Sequence, residues 1–197
     1  YSKYARSLSA HLRAKGFREN RKEDVFYKAL ESAGKKPGGY SAKVNIKLAP
    51  DMRSDEATKA ILQFLLDVMK INAANMEKDI DTEILHDFRV AIRRTRSALG
   101  QVKGVFPVRT TNRFKKDFAT IGKLSNELRD LDVYLLKEAQ YKAMLPAALR
   151  EDIDPLFNHL RKKRSKALRQ VIRGLKSKNY EKIIQDWEAF LKKPKRN

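Results

Sequence analysis

From Ser54 onward, apolar residues recur at intervals of three and four, the spacing that places side chains on one face of an α-helix. The first such segment begins at Ser54, which we expect to cap a helix whose first turn carries the acids Asp55 and Glu56. A second segment begins at Asp81 or Thr82. Both starts have the polar residues that helix N-termini favour.

The remaining periodic segments follow after short breaks. The second helix is expected to reach about Val105, and a third is expected over 112–145. Pro146 is expected to begin a fourth helix, with a kink or restart at Pro155, and Ser177 to cap the last one. Four or five amphipathic helices with short connections predict an all-α, antiparallel four-helix bundle over residues 51–197.

Residues 1–50 lack this sustained pattern. A short amphipathic stretch at 4–12 precedes a polar, basic run at 13–22, and a loop rich in glycine and lysine follows at 34–39. Apolar and polar residues alternate over 44–48, which indicates an extended piece or a short strand. We therefore expect a linker, a poorly structured N-terminal extension with little core of its own.

The charge of the chain narrows the possible functions. Lys and Arg total 44 against 24 Asp and Glu, a formal net charge of +20. Such an excess favours phosphate-rich polymers, anionic membranes or acidic proteins as partners, although a merely solubilising surface is the simpler interpretation. There is no cysteine, and the three histidines lie far apart, so no metal, cofactor or catalytic residue is predicted. No apolar run is long enough for a membrane-spanning helix, and we expect a cytoplasmic protein.

One face of the second predicted helix is almost purely cationic. At about 100° per residue, five residues fall within a sector of roughly 100° beside the apolar face; we call them the basic stripe: His86, Arg89, Arg93, Arg96 and Lys103. Solvated faces usually mix charges of both signs. Within the stripe's span only Asp87 is acidic, so we expect a polyanion to lie along it and to be bound by arginine forks.

Two further sets of residues are candidates. The fourth predicted helix has a second basic face within about 80°, made of His159, Lys162, Lys166, Arg169 and Arg173. It is either a secondary anion-binding face or a solvated surface. On the third predicted helix, one sector holds Lys115, Gly122, Asn126 and Arg129. Since Arg129 is flanked by acids, it is either held in a structural ion pair or directed toward the stripe.

Two runs resemble the motifs of the CHAD family, an α-helical domain named for a histidine. The first is His86-Asp87-Phe88-Arg89-Val90-Ala91-Ile92-Arg93-Arg94-Thr95-Arg96-Ser97-Ala98-Leu99. The second is Leu128-Arg129-Asp130-Leu131-Asp132-Val133. The spacing between the runs also fits, and the resemblance covers about 50–191.

The resemblance implies an all-helical fold of two similar four-helix halves around a basic central channel. It also implies binding of inorganic polyphosphate and association with polyphosphate granules in bacteria and archaea. By match to the motifs, the expected polyphosphate contacts are His86, Arg89, Arg93, Arg96 and Arg129. Arg94 matches too, but its helical angle directs it away from the stripe, toward the other half or a neighbour.

The chain departs from the family pattern in two respects. Only one His-x-x-Arg helix is present, so we interpret residues 51–197 as the N-terminal half of a CHAD-type domain. The second half would lie beyond Asn197 or come from a partner molecule, as in a homodimer. Residues 1–50 resemble the linker that follows a CYTH domain, a triphosphate tunnel whose Glu-x-Glu-x-Lys motif is absent here. No catalytic activity is carried over.

Four functions are therefore open. One is a protein-interaction bundle, for which the open half-channel would be a dimer surface, and the other three involve phosphate-containing ligands. The first is a polyphosphate-binding protein that is not an enzyme. The second is a basic helical protein that binds RNA or DNA, although the stripe has little aromatic interleaving for base stacking. The third is the accessory domain of a triphosphate-hydrolysing CYTH enzyme.

Overall fold

The structure, a computed structural model, describes residues 7, 10–16, 32, 34 and 40–193. Most of the predicted N-terminal extension lies outside these ranges. Residues 44–48 form neither a helix nor a strand. The residues from Ala42 to Asn197 form one compact unit.

Seven α-helices, all in this unit, confirm the predicted all-α class. They are α1 (Ser54–Asn75), α2 (Thr82–Gln101), α3 (Val108–Leu124), α4 (Asn126–Leu136), α5 (Glu138–Ala143), α6 (Asp154–Leu175) and α7 (Lys178–Lys192). Short 3-10 turns follow at Met76–Lys78, after α1, and at Ala147–Leu149, before α6. The described residues include no β-strand. That the bundle is one half of a larger domain stays a prediction.

The helices pack around one hydrophobic core. α1 packs along α2, α2 along α3, and α4 along α6, while α7 contacts α1, α3 and α6. Trp187 of α7 is fully buried. Its ring meets those of Phe114 and Phe118 edge to face, at centroid distances of 4.6 and 5.3 Å. Because aromatic pairs in this arrangement bury large areas, they anchor α7 on α3.

The cap predicted at Ser177 is confirmed, and Asp81, predicted as a possible helix start, is the N-cap of α2. The Asp81 carboxylate accepts a hydrogen bond from the Glu83 amide at 2.9 Å, and the Ser177 hydroxyl accepts one from the Tyr180 amide at 3.2 Å. The cap predicted at Ser54 is wrong. Arg53 takes that position without a side-chain cap and contacts the Asp55 carboxylate at 3.1 Å instead.

α2 is shorter than predicted. It ends at Gln101 rather than near Val105, because Val102 leaves the helical region with φ −82° and ψ 88°. Gly104 then adopts φ +76°, a left-handed conformation that side chains with a Cβ disfavour. The turn toward α3 therefore begins at Val102, before Gly104, the glycine that indicates a turn in the sequence.

The single third helix predicted over 112–145 is wrong. It begins earlier, at Val108, and is interrupted at Ser125 and at Lys137, where ψ is 7° at both residues. Neither position has a glycine or proline, and the apolar periodicity continues through both interruptions. The sequence therefore has no local signal for them. The predicted start at Pro146 is also wrong, since only a 3-10 turn follows it. The restart at Pro155 is confirmed, in the first turn of α6, where a missing N–H costs nothing.

An ionic network joins three elements beside the core. Arg164 of α6 donates from both Nη atoms to Asp79 at 2.7 Å, and from Nε to Asp132 of α4 at 2.6 Å. Asp132 is only 1% exposed. Burial raises the pKa of Asp132, and the Arg164 hydrogen bond and charge lower it in part. The neighbouring Arg161 forms an exposed pair with Glu138.

Replacing Arg164 with Ala is expected to lower the free energy of unfolding by about 3 kcal/mol, because it leaves the buried Asp132 carboxylate unpaired. The matched change Arg161→Ala removes an exposed pair and should cost less than about 1 kcal/mol. Urea unfolding measures both, and equal losses of stability would contradict the prediction.

The pH dependence of Arg164→Ala checks the same point. Because the folded-state pKa of Asp132 lies above the unfolded value of 3.8, the folded protein binds that proton more tightly. Stability of the variant is therefore expected to fall as the pH rises from 3.8 through the folded-state pKa.

Candidate polyanion-binding site

A basic cavity of about 330 Å³ lies between α2 and the α3–α4 segment. Its lining has four residues from α2 and four from the opposite side. The residues of α2 are the cations Arg89, Arg93 and Arg96 and the apolar Ile92, and those opposite are Ala119, Gly122, Lys123 and Asn126. None of these residues is acidic. The cavity therefore has a positively charged lining that faces solvent.

α2 and α3 lie close together beside the cavity. A Cβ added at Gly122 would lie 3.6 Å from Ile92 Cγ2 of α2, which is an ordinary van der Waals contact, so about one methyl group separates the backbone of α3 from that side chain. Gly100 of α2 is similarly close to Lys115, whose Nζ would lie 3.5 Å from an added Cβ. Lys115 therefore reaches over the end of α2 and extends the basic surface beyond Arg96.

Arg89 is held by three hydrogen bonds from a single nitrogen. Its Nη1 donates to the Gly122 carbonyl at 3.3 Å, to Ser125 Oγ at 2.8 Å and to Asn126 Oδ1 at 2.9 Å. All three acceptors lie where α3 ends and α4 begins. The guanidinium is thus fixed in the cavity, with Nε and Nη2 left for other acceptors.

The helix interruption at Ser125 provides this anchor. Ser125 is fully buried, and its hydroxyl donates to the Gly122 carbonyl at 3.1 Å while accepting from Arg89. In a continuous α-helix the Gly122 carbonyl would accept a hydrogen bond from the backbone amide of Asn126, four residues further along the chain. At the interruption it accepts from the Ser125 amide at 3.4 Å and remains open to Arg89.

Neighbouring cations raise the local potential. Burial lowers the pKa of Arg89, and the charges of Arg129 and Arg93 lower it further, although Asp130 opposes them. Three guanidinium groups are therefore close enough to repel one another. A bound anion would offset that repulsion.

The other predicted contacts divide into two groups. Arg93 and Arg96 are exposed, line the cavity, and have no hydrogen bond or ion pair within the described part of the chain. His86 and Lys103 do not line the cavity; His86 is half-buried and Lys103 is exposed. Arg129 is half-buried outside the lining, with Nη1 buried and lacking an acceptor in the described residues.

The structure also places the remaining candidates. Arg94 turns away from the stripe, as its angle predicted, and donates to the Ala42 carbonyl at 3.0 Å. Arg129 lies close enough to Arg89 to affect its pKa, as expected of a residue across from the stripe. The acid Asp132 pairs with Arg164, so Arg129 is not its hydrogen-bonded ion-pair partner. All five residues of the second basic face are exposed.

Sequence reasoning missed three contributors to the site. Lys123 and Ala119 lie four residues apart on α3, on the side of the helix that contains Gly122. Helical spacing could therefore have revealed both residues. Ser125 gave no local signal, because its role depends on Arg89, far away in the chain. Among the described residues, no three acidic or histidine side chains are placed to share a metal ion.

The fold and the cavity define an all-α bundle with a basic groove between two of its helices. A family model described as the CHAD domain matches residues 60–197, more than half of the chain, and the chain belongs to that family. No curated protein matches it. Every helix in the described part of the chain is too short or too polar to cross a lipid bilayer.

Ser125→Ala is expected to lower the free energy of unfolding by about 1–2 kcal/mol, because it leaves a buried hydrogen-bonding network incomplete. It should also release Arg89, whose Nη signals in NMR are expected to change from restricted to fast rotation. Ser97→Ala, on the exposed side of α2, is the matched control and should stay within about 0.5 kcal/mol. An Arg89 guanidinium that stays restricted in Ser125→Ala would contradict the anchoring role.

Proposed function

We propose that this chain binds inorganic polyphosphate in the basic cavity between α2 and α3. One observation carries the proposal: Arg93 and Arg96 face the cavity without partners in the described residues, beside an Arg89 that is already fixed. Guanidinium groups donate two parallel hydrogen bonds to phosphate oxygens and stay charged at any physiological pH. The chain's membership of the CHAD domain family supports the same role.

The spacing of the cations favours a polymer over a compact anion. From His86 to Arg96 the stripe rises by about 15 Å along the axis of α2, and Lys103, predicted to continue it on the same helix, lies just beyond the end of α2. A single phosphate would satisfy one or two guanidinium groups, whereas an extended phosphate chain would meet them in succession. His86, Lys103 and Arg129 remain proposed contacts at the two ends and across the groove.

Nucleic acid is the second candidate. Its phosphates would be bound in the same way, but none of the lining residues is aromatic, so the cavity offers no surface for base stacking. Contacts to phosphate carry no base information. Competition between polyphosphate and a random oligonucleotide at physiological salt separates the two, and preferential oligonucleotide binding would overturn the proposal.

The wider setting is part of the proposal. The protein acts as a binding module and not as an enzyme, in the cytoplasm and on polyphosphate granules, and a second CHAD half or a second copy closes the groove. As the accessory domain of a CYTH enzyme it would hold a phosphate chain for that enzyme. A phosphate-release assay on this chain should show no turnover, and turnover would contradict the binding-only role. Light scattering would report a dimer.

The double variant Arg93→Ala, Arg96→Ala is expected to bind polyphosphate about 100-fold more weakly at low salt, because it removes two guanidinium groups that donate charge-assisted hydrogen bonds. The dependence of the logarithm of affinity on the logarithm of salt concentration should also become shallower by about two. Fluorescence anisotropy with end-labelled polyphosphate over a salt series measures both.

A charge-matched control uses Arg94→Ala, Arg109→Ala. Arg94 lies on α2 but turns to Ala42, and Arg109 is exposed at the start of α3. Affinity should change less than about threefold. A comparable loss of affinity in the two double variants would show that net charge, and not the cavity, determines binding.

A further inference from the structure

The charges of α6 are divided between its faces. Arg161 and Arg164, on the side toward the bundle, take up the available acids: Arg161 pairs with Glu138, and Arg164 with Asp79 and Asp132. The cations on the other side have no ion pair or hydrogen bond with any described residue. These unpaired side chains include Lys162, Lys166, Arg169 and Arg173, which belong to the second basic face.

The second basic face lies directly opposite the buried side of α6. At 100° per residue its five members centre about 180° from the core residues of the helix, which include Phe157, Ala167 and Val171. All five are exposed. From His159 to Arg173 the face rises by about 21 Å, against about 15 Å for the stripe from His86 to Arg96. Between these two residues of α6 the helix has no acid.

We propose that the second basic face is a further contact for the same phosphate polymer, which a long chain reaches and a short chain does not. This inference rests on the proposed function. Like the stripe from Arg89 to Arg96, the face presents successive cations on one side of a helix with no acid between them, which supports a phosphate chain as the ligand. An acidic protein surface is the alternative occupant, and it would leave polymer affinity unchanged when the face is neutralised.

The two surfaces differ in what they can hold. The cavity encloses its ligand between two helices and has an arginine fixed in advance, whereas the face on α6 is open to solvent. Lysines there act as mobile point charges, so a short anion gains little from them. A chain already bound in the cavity would meet the second face at a high effective concentration, and only then would the weak interactions there add measurable affinity.

The test is a fourfold variant of the face: Lys162→Gln, Lys166→Gln, Arg169→Gln and Arg173→Gln. Glutamine preserves helix propensity and removes the charge. Binding is measured with tripolyphosphate and with a polymer of several hundred phosphates. Affinity for the polymer should fall at least tenfold, and its salt dependence should become shallower by about one for each cation that binds a phosphate in the unmodified protein. Affinity for tripolyphosphate should stay within about twofold.

The control variant removes the same charge elsewhere: Arg109→Gln, Lys137→Gln, Lys178→Gln and Lys182→Gln, which are exposed and unpaired within the described part of the chain. It should bind the polymer within about threefold of the unmodified protein. This inference would be overturned if both fourfold variants bound the polymer equally weakly, or if the variant of the second basic face kept full polymer affinity. Retained binding of tripolyphosphate would still support the cavity as a binding site. Absence of binding to either ligand by the unmodified protein would overturn the proposed function itself.

Discussion

The geometry of the basic cavity depends on the hydrogen bonds that Arg89 Nη1 donates to Gly122, Ser125 and Asn126. They tie α2 to the junction of α3 and α4, and they do so by means of an interruption that leaves a carbonyl open. A cation beside two other guanidinium groups would otherwise turn toward solvent. The hydrogen bonds therefore hold the Arg89 guanidinium close to other cations that repel it. Fixing a side chain in this way organises a binding site before a ligand binds.

The acidic residues determine where the remaining positive charge accumulates. Asp132 and Asp79 pair with Arg164, and Glu138 pairs with Arg161 and Lys142. None of these acids lines the cavity. With only 24 acids for 44 cations, pairing in one region leaves another uncompensated. The cavity and the outer face of α6 are such regions, and both have a positive potential because the acids are engaged elsewhere.

This arrangement couples stability to binding. The folded protein carries electrostatic repulsion around Arg89, and burial adds to the cost. A polyanion that binds only the folded state offsets that cost and stabilises the bundle by mass action. Under the proposed function, the cavity is therefore the place where a phosphate chain would offset the repulsion between the cations.

The sequence by itself determined four of the helices and the part of the stripe that lies on α2, because both follow from spacing within one helix. Apolar residues three and four apart predict α1, α2, α6 and α7, and the same arithmetic places Arg89, Arg93 and Arg96 together. Tertiary structure alone decided the interruption at Ser125 and the basic surface added by Lys123. It also decided which cations are paired. Those features depend on contacts between residues far apart in the chain, such as Arg164 with Asp79, and no local pattern records them.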